Sequence, residues 1–532
     1  MFKSAFICVI LLQVALANVE LPRVPLPYPP FTIKKEEISP QYWENLARKE
    51  FDRSNRQFPE WFSVAKKAKN VILFLGDGMG VPTVSATRFD ENYAKGIPSK
   101  HTYEDWEFGT LCRTYDLETT VTDSASSATA YLTGTKTRTA MIGVTGAVLV
   151  KQCSLYADEE KTESALTAAE KVGKWTGIVT TSRITHASPS GCYGHVAHRD
   201  WESDAFRNLP NNGCTDLAYQ LVTEHPDIHV LMGGGQRNFY PAGVQLPSEP
   251  NQKGNRKDGR RLTDMWEQNQ KLKGRNYVYA DGPEKFKQTT FSKYDYALGL
   301  LSASHLPYEL DKQQGNPSLY EMTMAALDIL TKSPNGFFLF VEGARIDQAH
   351  HENRAKKSFA EMHAFNKTIH AVFKRVDPKE TLLIVTADHS HSFALVGQPS
   401  RFSTFFAPDK IKGEDMKGML PIGYMTGPGA KMNATRDDVS KMNDTYINDK
   451  DTQLQALIPI NWSTHGGDDV AVFANGPFSY LFHSTVENTF IAQAMKYAMC
   501  APPYTNEPFC VACGLKVSLF AMIGLIMWCL FY

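Results

Sequence analysis

The sequence predicts an α/β fold: a doubly wound, mostly parallel central sheet with helices on both faces and a small inserted subdomain. Three observations predict it. Short aliphatic runs recur along the chain, amphipathic helical stretches separate them, and one stretch dense in Pro, Gly, Met and Asp breaks the alternation. The runs are VILFL (71–75), TGIVTT (176–181), HVLMG (229–233), FFLFVE (337–342) and TLLIVTA (381–387). Each is continuous rather than alternating, as strands are when a parallel sheet is covered on both faces. The stretch that breaks the rhythm, 398–460, reads as the inserted subdomain. A second polar stretch rich in Gly, Lys and Arg, 241–275, reads as a surface excursion. A Pro-rich lead (21–30) and a polar helical stretch around 36–68 precede the first strand.

The two ends look like addresses rather than fold. Residues 1–17 carry Lys3, an apolar run from Ala5 to Leu16, and Ala15-Leu16-Ala17, which fits a signal-peptide cleavage site. The last apolar run, Val517 to Tyr532, has no charge after it. It is short of the roughly 20 residues that a spanning helix needs, so 506–532 reads as a GPI-attachment signal, with a tail anchor as the alternative. Asn506 and the Cys513-Gly514 pair are both candidate attachment points. That leaves 18–505 as the folded region of an exported protein at the cell surface. The nine cysteines suit an oxidising compartment. Without Cys8 and Cys529 the remainder is odd, so one thiol is expected to stay free. Sequons stand at Asn366, Asn433, Asn443 and Asn461, the last too near a candidate metal ligand to be used. The formal net charge of -1 excludes a nucleic-acid footprint, so any substrate is recognised locally.

In open α/β sheets the chemistry collects beyond the carboxyl ends of the strands. VILFLGD ends in Asp77, FFLFVE in Glu342 and TLLIVTAD in Asp388. A buried carboxylate there is costly unless it is paired or binds a metal. One such residue reads as a loop cap; three together point to metal. Asp347 and His351 in ARIDQAHH lie four apart, on one face of a helix and able to share an ion. Asp388-His389 offers oxygen and nitrogen ligands side by side, and His391 can orient a ligand by hydrogen bonding. His465 precedes a Gly-Gly pair that lets the chain pass close to a ligand. In TVTDSASSATAYLTG, Ser124 falls at a helix N-terminus, where N–H groups favour anions. Spacing alone does not separate this from N-capping, nor Ser124 from Ser126 and Ser127. After TGIVTT come His186, Ser188 and Arg199; an arginine here can clamp phosphate oxygens with two parallel bonds.

Together these strings resemble the alkaline phosphatase family, animal members in particular. They are LFLGDGMG (73–80), TDSASSATAYLTG (122–134), HASPSGCYGH (186–195), FLFVEGARIDQAHH (338–351), TADHSHSF (386–393) and THGGDDVAVFANGP (464–477), in the family's order. The resemblance implies phosphate monoester hydrolysis with two zinc ions and one magnesium, optimal at alkaline pH. By it, Ser124 is the nucleophile that becomes phosphorylated, and Arg199 holds the phosphoryl oxygens. Asp347, His351 and His465 bind one zinc. Asp77, Asp388 and His389 bind the other. Asp77, Ser188 and Glu342 surround magnesium, with His186 close by. It further implies a homodimer, a lipid anchor in the membrane, a disulfide from Cys153 to Cys214, and a second from Cys500 to Cys510 or Cys513. Three departures stand out: Gln348 within the RIDQAHH string, Ser126-Ser127 beside the nucleophile, and Leu300–Ser304, which lacks the glutamate of the family's calcium segment. Calcium is therefore not expected.

Overall fold

A computed structural model describes residues 32–205, 213–432 and 435–511. In chain order the strands are β1 (Asn70–Gly76), β2 (Phe108–Arg113), β3 (Trp175–Arg183), β4 (Val230–Gly234), β5 (Tyr277–Ala280), β6 (Tyr296–Leu300), β7 (Phe337–Gly343) and β8 (Thr381–Ala387). They continue as β9 (Ser390–His391), β10 (Phe393–Leu395), β11 (Ile422–Gly427), β12 (Ala456–Pro459), β13 (His465–Gly466), β14 (Val470–Asn475) and β15 (Thr485–Glu487). Ten of these make one sheet in the order β15-β2-β14-β8-β1-β7-β3-β4-β6-β5. All neighbours are parallel except β14, which runs against both β2 and β8. The five aliphatic runs are the five consecutive central strands β8, β1, β7, β3 and β4, and β1, β7 and β8 are buried almost throughout.

Helices Ala165–Lys171 and Asn488–Met499 pack on one another and on the sheet. A separate pair, Leu319–Leu330 and Ala355–Arg375, does the same. The second pair shows why sequence period and layer agree: in Ala355–Arg375 the side chains of Phe359, Met362, Phe365, Ile369 and Val372 are buried along one stripe.

Four parallel neighbours, β8, β1, β7 and β3, necessarily end on the same edge. Register places Leu75 of β1 beside Glu342 of β7 and Thr386 of β8, while Thr180 of β3 pairs with Glu342. Asp77 and Asp388 follow directly. Within 398–460, β11 and β12 join β10 in a separate three-stranded sheet with its own apolar cluster of Phe393, Phe405, Phe406, Leu420, Ile422 and Tyr424. That small sheet starts before the stretch, at Phe393. The wall it forms is tied to the body through His350, whose Nδ1 lies 2.9 Å from the Tyr424 hydroxyl.

Some expectations need correction. The stretch 241–275 is largely exposed, as a surface excursion is, but it is anchored: Leu262–Leu272 is a helix that buries Leu262 and Trp266, and Arg256 is 1% exposed. The Arg256 guanidinium donates to both oxygens of Asp216, at 2.9 and 3.0 Å, and to both of Asp258. Basic composition hid a buried charge pair. The polar stretch 36–68 is two helices, Pro40–Gln57 and Pro59–Val64, divided where Pro59 cannot continue the first. Disulfides join Cys153 to Cys214 and Cys500 to Cys510. Cys112 and Cys192 are both buried free thiols, so two rather than one stay unpaired among the described residues. Asn366 donates to His101 from the middle of its helix, which leaves that sequon engaged. Asn443 and Asn461 are exposed, and Asn433 lies outside the described residues. Residues 1–17 and 517–532 also lie outside them; among the described residues no helix is long and apolar enough to cross a membrane.

Removing one partner of a buried ion pair strands the other charge. Arg256→Ala should therefore lower the unfolding free energy in urea by about 3–5 kcal/mol. Arg260→Ala, at a half-exposed side chain, should cost less than about 1 kcal/mol. Equal losses would contradict the assignment.

Candidate metal centre and nucleophile

The sheet edge gathers the expected residues into adjoining groups. Asp347, His351, His391 and His465 present ligand atoms within 4.8 Å of one another, as do Asp77, Asp388 and His389, and Asp77, His186 and Glu342. Asp77 belongs to two of them. Asp77 and Glu342 are 0% exposed, Asp388 1% and Asp347 4%. Both oxygens of Asp77, Glu342 Oε1, Asp388 Oδ2 and Asp347 Oδ1 are buried without a hydrogen-bond donor. Such oxygens need positive charge, so the donor set fits divalent cations.

The histidines divide by tautomer. Nδ1 faces a backbone carbonyl in each of three rings: His351 at Ser463 (2.5 Å), His389 at Ser390 (3.0 Å) and His465 at Thr122 (2.9 Å). A ring donating from Nδ1 keeps its Nε2 lone pair for a ligand bond. Those Nε2 atoms point at the carboxylates: His351 lies 3.1 Å from Asp347, and His389 3.1 Å from Asp388 and 3.7 Å from Asp77. His391 is reversed. The Ser392 N–H donates to its Nδ1 at 3.1 Å, so its proton sits on Nε2, 3.4 Å from Asp347 Oδ1. His391 thus turns a proton rather than a lone pair toward Asp347, close by but not hydrogen-bonded to it.

Charge reflects the crowding. Burial, then Asp388, Asp347 and Glu342, push the Asp77 carboxyl well above its usual range. Burial lifts Glu342 to about 7 against bonds from Thr180, Ser188 and Ser182. Ser188 is fully buried in the short helix Ala187–Ser190. Burial opposes protonation of His389, but Asp388 outweighs it and raises the ring to about 9. Burial and the neighbouring His389 hold His465 at about 3. His186 is held at about 3 by burial and by Arg183 and Arg199.

Ser124 opens the helix Ser124–Thr133 and is 2% exposed. Its Oγ lies 3.4 Å from His389 Nε2, the nitrogen that faces Asp388 and Asp77. The cap of that helix is Asp123, which accepts from Ala125 N and Ser126 N. Two of the N–H groups expected to favour an anion are therefore engaged already, and Ser124 is left free of capping duty. Asp123 also accepts from Arg199 Nη1 at 2.9 Å, while Arg199 Nη2 donates to His186 Nε2 at 3.3 Å. Ser126 hydrogen-bonds Asp123 and Asp116 and turns away from the nucleophile's role. Gln348 contacts Arg345 and His305.

Sequence reasoning missed several supports. Asp123 was visible only as a residue before a helix, Thr180 and Ser182 only as strand residues. The carbonyls of Thr122, Ser390 and Ser463 carry no side-chain signature at all. In the Leu300–Ser304 segment, Ser302 and the Ala303 N–H both donate to Glu249.

Comparison with known proteins points to one family. The family model described as alkaline phosphatase matches residues 68–501. An alkaline phosphatase of Gadus morhua is 39% identical over 480 residues, covering 88% of this chain and 98% of the relative. The tissue-nonspecific isozyme of Gallus gallus is 38% identical, covering 90% of this chain and 92% of its own. Among solved structures, the alkaline phosphatase of the Antarctic bacterium TAB5 shares the fold with a TM-score of 0.57 at 23% identity, covering 82% of this chain and 99% of its own. That of Thermus thermophilus does so with a TM-score of 0.59 at 23% identity, covering 82% and 92%.

Ligation requires Glu342 as carboxylate and His389 with Nε2 deprotonated, so binding a cation displaces protons held at about 7 and about 9. The apparent affinity for a divalent cation should rise about tenfold or more per pH unit up to pH 7, and continue rising toward pH 9. Calorimetry in buffers of different ionisation enthalpy should register the released protons. An affinity flat between pH 6 and 9 would count against this site.

Proposed function

The chain belongs to the alkaline phosphatase family, and on that premise we propose that it hydrolyses phosphate monoesters through a phosphoserine at Ser124, with two zinc ions and one magnesium. Asp347, His351 and His465 would hold one zinc; Asp77, Asp388 and His389 the other; Asp77, Ser188 and Glu342 the magnesium, with His186 beside it. Held there, the cations would supply the positive charge that neutralises the ester dianion, lowers the pKa of the serine hydroxyl and stabilises the departing alkoxide.

The chain's own groups do the rest. Ser124 Oγ gives up its proton to solvent and attacks phosphorus, the ester oxygen leaves with its bonding pair and takes a proton from water to become the alcohol, and the phosphoryl group passes to the serine. Water then attacks the phosphoserine from the side the alcohol vacated and returns Ser124 to its free form. Arg199, anchored at one nitrogen by Asp123, turns its remaining donors to the phosphoryl oxygens. The Thr122, Ser390 and Ser463 carbonyls fix the three ligand rings, and the His391 Nε2–H stands 3.4 Å from Asp347, in reach to orient it. Rate rises with pH because both attacking oxygens must lose protons. What supports this reading most is the placement of Ser124 Oγ 3.4 Å from the ligand nitrogen of His389, one residue from the aspartate that anchors Arg199.

The same reading includes a signal peptide at 1–17, passage to the extracellular surface, a GPI anchor replacing part of 506–532, and a homodimer. The subdomain of 398–460 stands as part of the site's wall.

Ser124→Ala should abolish covalent labelling by radioactive phosphate and lower kcat on p-nitrophenyl phosphate about 10³-fold or more. Persistent labelling sinks the assignment. The diester and sulfate analogues of that substrate should be poor for the wild-type protein. His391→Ala should keep both zinc positions but weaken metal affinity by about 10–100-fold; loss of one bound ion outright would make His391 a ligand.

A further inference from the structure

Beside the nucleophile lies a second cluster whose chemistry is the reverse of the metal centre. His186, which accepts from Arg199, stands edge-on to the ring of His305, with centroids 5.2 Å apart. Around His305 gather Arg183, Arg237, Arg345 and Gln348, all only partly exposed and open to solvent on one side. Three guanidiniums share this surface. Glu202 hydrogen-bonds Arg183 alone among them, through Arg183 Nε and Nη2, and its oxygens are filled further by Thr185 and Asn238. Arg345 stacks 3.5 Å over the Tyr308 ring and hydrogen-bonds only Gln348. Nearby acids are engaged elsewhere: Glu352 by Tyr308 and Arg354, Glu361 by the Glu309 N–H. Arg237 has no carboxylate partner among the described residues, and its Nε and that of Arg345 are buried without acceptors.

The hydrogen-bond line through the cluster cannot close by itself. Arg345 Nη1 donates to the Gln348 amide oxygen, Gln348 Nε2 faces His305 Nδ1 at 3.2 Å, and Arg183 Nη1 faces His305 Nε2 at 2.5 Å. Both ring nitrogens meet donors. A neutral imidazole has one acceptor nitrogen and a protonated one has none. Burial and the surrounding cations keep this ring neutral, so one contact is donor against donor. Turning the Gln348 amide only moves the conflict to Arg345. The cluster holds one donor too many and two guanidiniums with no carboxylate at ion-pair distance, though Glu202 and Glu361 lie near enough to act on them, in a half-buried setting where both deficits are costly. An anion supplies lone pairs and charge at once.

We propose that Arg237, Arg345 and His305 form a subsite for a second anionic group, carboxylate or phosphate, carried by the substrate beyond its scissile phosphoryl group. The inference rests on the phosphatase reading for where the first phosphoryl group lies, one imidazole away at Arg199. The subsite favours phosphate esters of acids, or of alcohols bearing another phosphate, over neutral esters of the same length.

The test uses the metal-loaded enzyme and competitive inhibition of p-nitrophenyl phosphate hydrolysis. The inhibitors are ω-phosphonocarboxylates of two to five carbons and alkylphosphonates of matched length. At one chain length the carboxylate should improve Ki by tenfold or more. That advantage should vanish in Arg237→Gln, whose side chain leaves no hydrogen-bond partner behind, and in Arg345→Gln, and should return in part in Arg237→Lys. No advantage at any length, or variants that weaken both inhibitor series equally, overturns the subsite. Should wild-type protein fail to hydrolyse p-nitrophenyl phosphate, the phosphatase reading falls separately, and calorimetric titration with the same pairs still decides whether the subsite discriminates. Relief of the advantage by 100 mM acetate, with no dependence on chain length, would assign the cluster to a free anion and overturn the substrate subsite.

Discussion

Four carboxylates closed off from water are the constraint around which this protein is built. Asp77, Glu342, Asp347 and Asp388 sit together with almost no exposure, and ionising them there costs several kcal/mol each unless charge is returned. Arg199 returns only part of it, because Asp123 already holds one of its nitrogens at 2.9 Å. The deficit is what makes the edge fit for divalent cations. It also explains the sheet: only parallel neighbours deliver the ends of β1, β7 and β8 to one place, and only strands buried on both faces hold them there without water.

The adjoining groups form a pair of opposites. At the metal centre, acceptors outnumber donors and the unmet need is for cations. One imidazole further on, at His305, donors outnumber acceptors and the unmet need is for an anion. Arg199 and His186 lie between them, linked at 3.3 Å. A dianionic ester with a further acid group complements that alternation along its whole length, which is a stronger basis for specificity than any single contact.

The central strands were legible in the sequence because continuous apolar runs leave little else to be. The strands β2, β5, β6, β14 and β15 were not. FGTLCR alternates buried and exposed positions, VAVFAN does the same, and the others are short enough to pass for loops. The candidate ligands were legible because carboxylates and imidazoles at strand ends have few bland explanations when several coincide. Their supports were not. That His351, His389 and His465 present Nε2 while His391 presents a proton depends on which backbone group each ring meets, and carbonyls look alike in a sequence. Arg256 failed for another reason: a run of basic residues normally means solvent, and only the fold brings Asp216 beneath it.

The most direct measurement is metal content against activity. Divalent cations are stripped from the purified protein by chelation, zinc and magnesium are titrated back, and bound metal and phosphatase rate are followed together. The account predicts that activity disappears with the metal and recovers as zinc and magnesium reoccupy the site, with neither activity nor tight binding once Asp77 is replaced by asparagine. A stripped protein that keeps its full rate would contradict it.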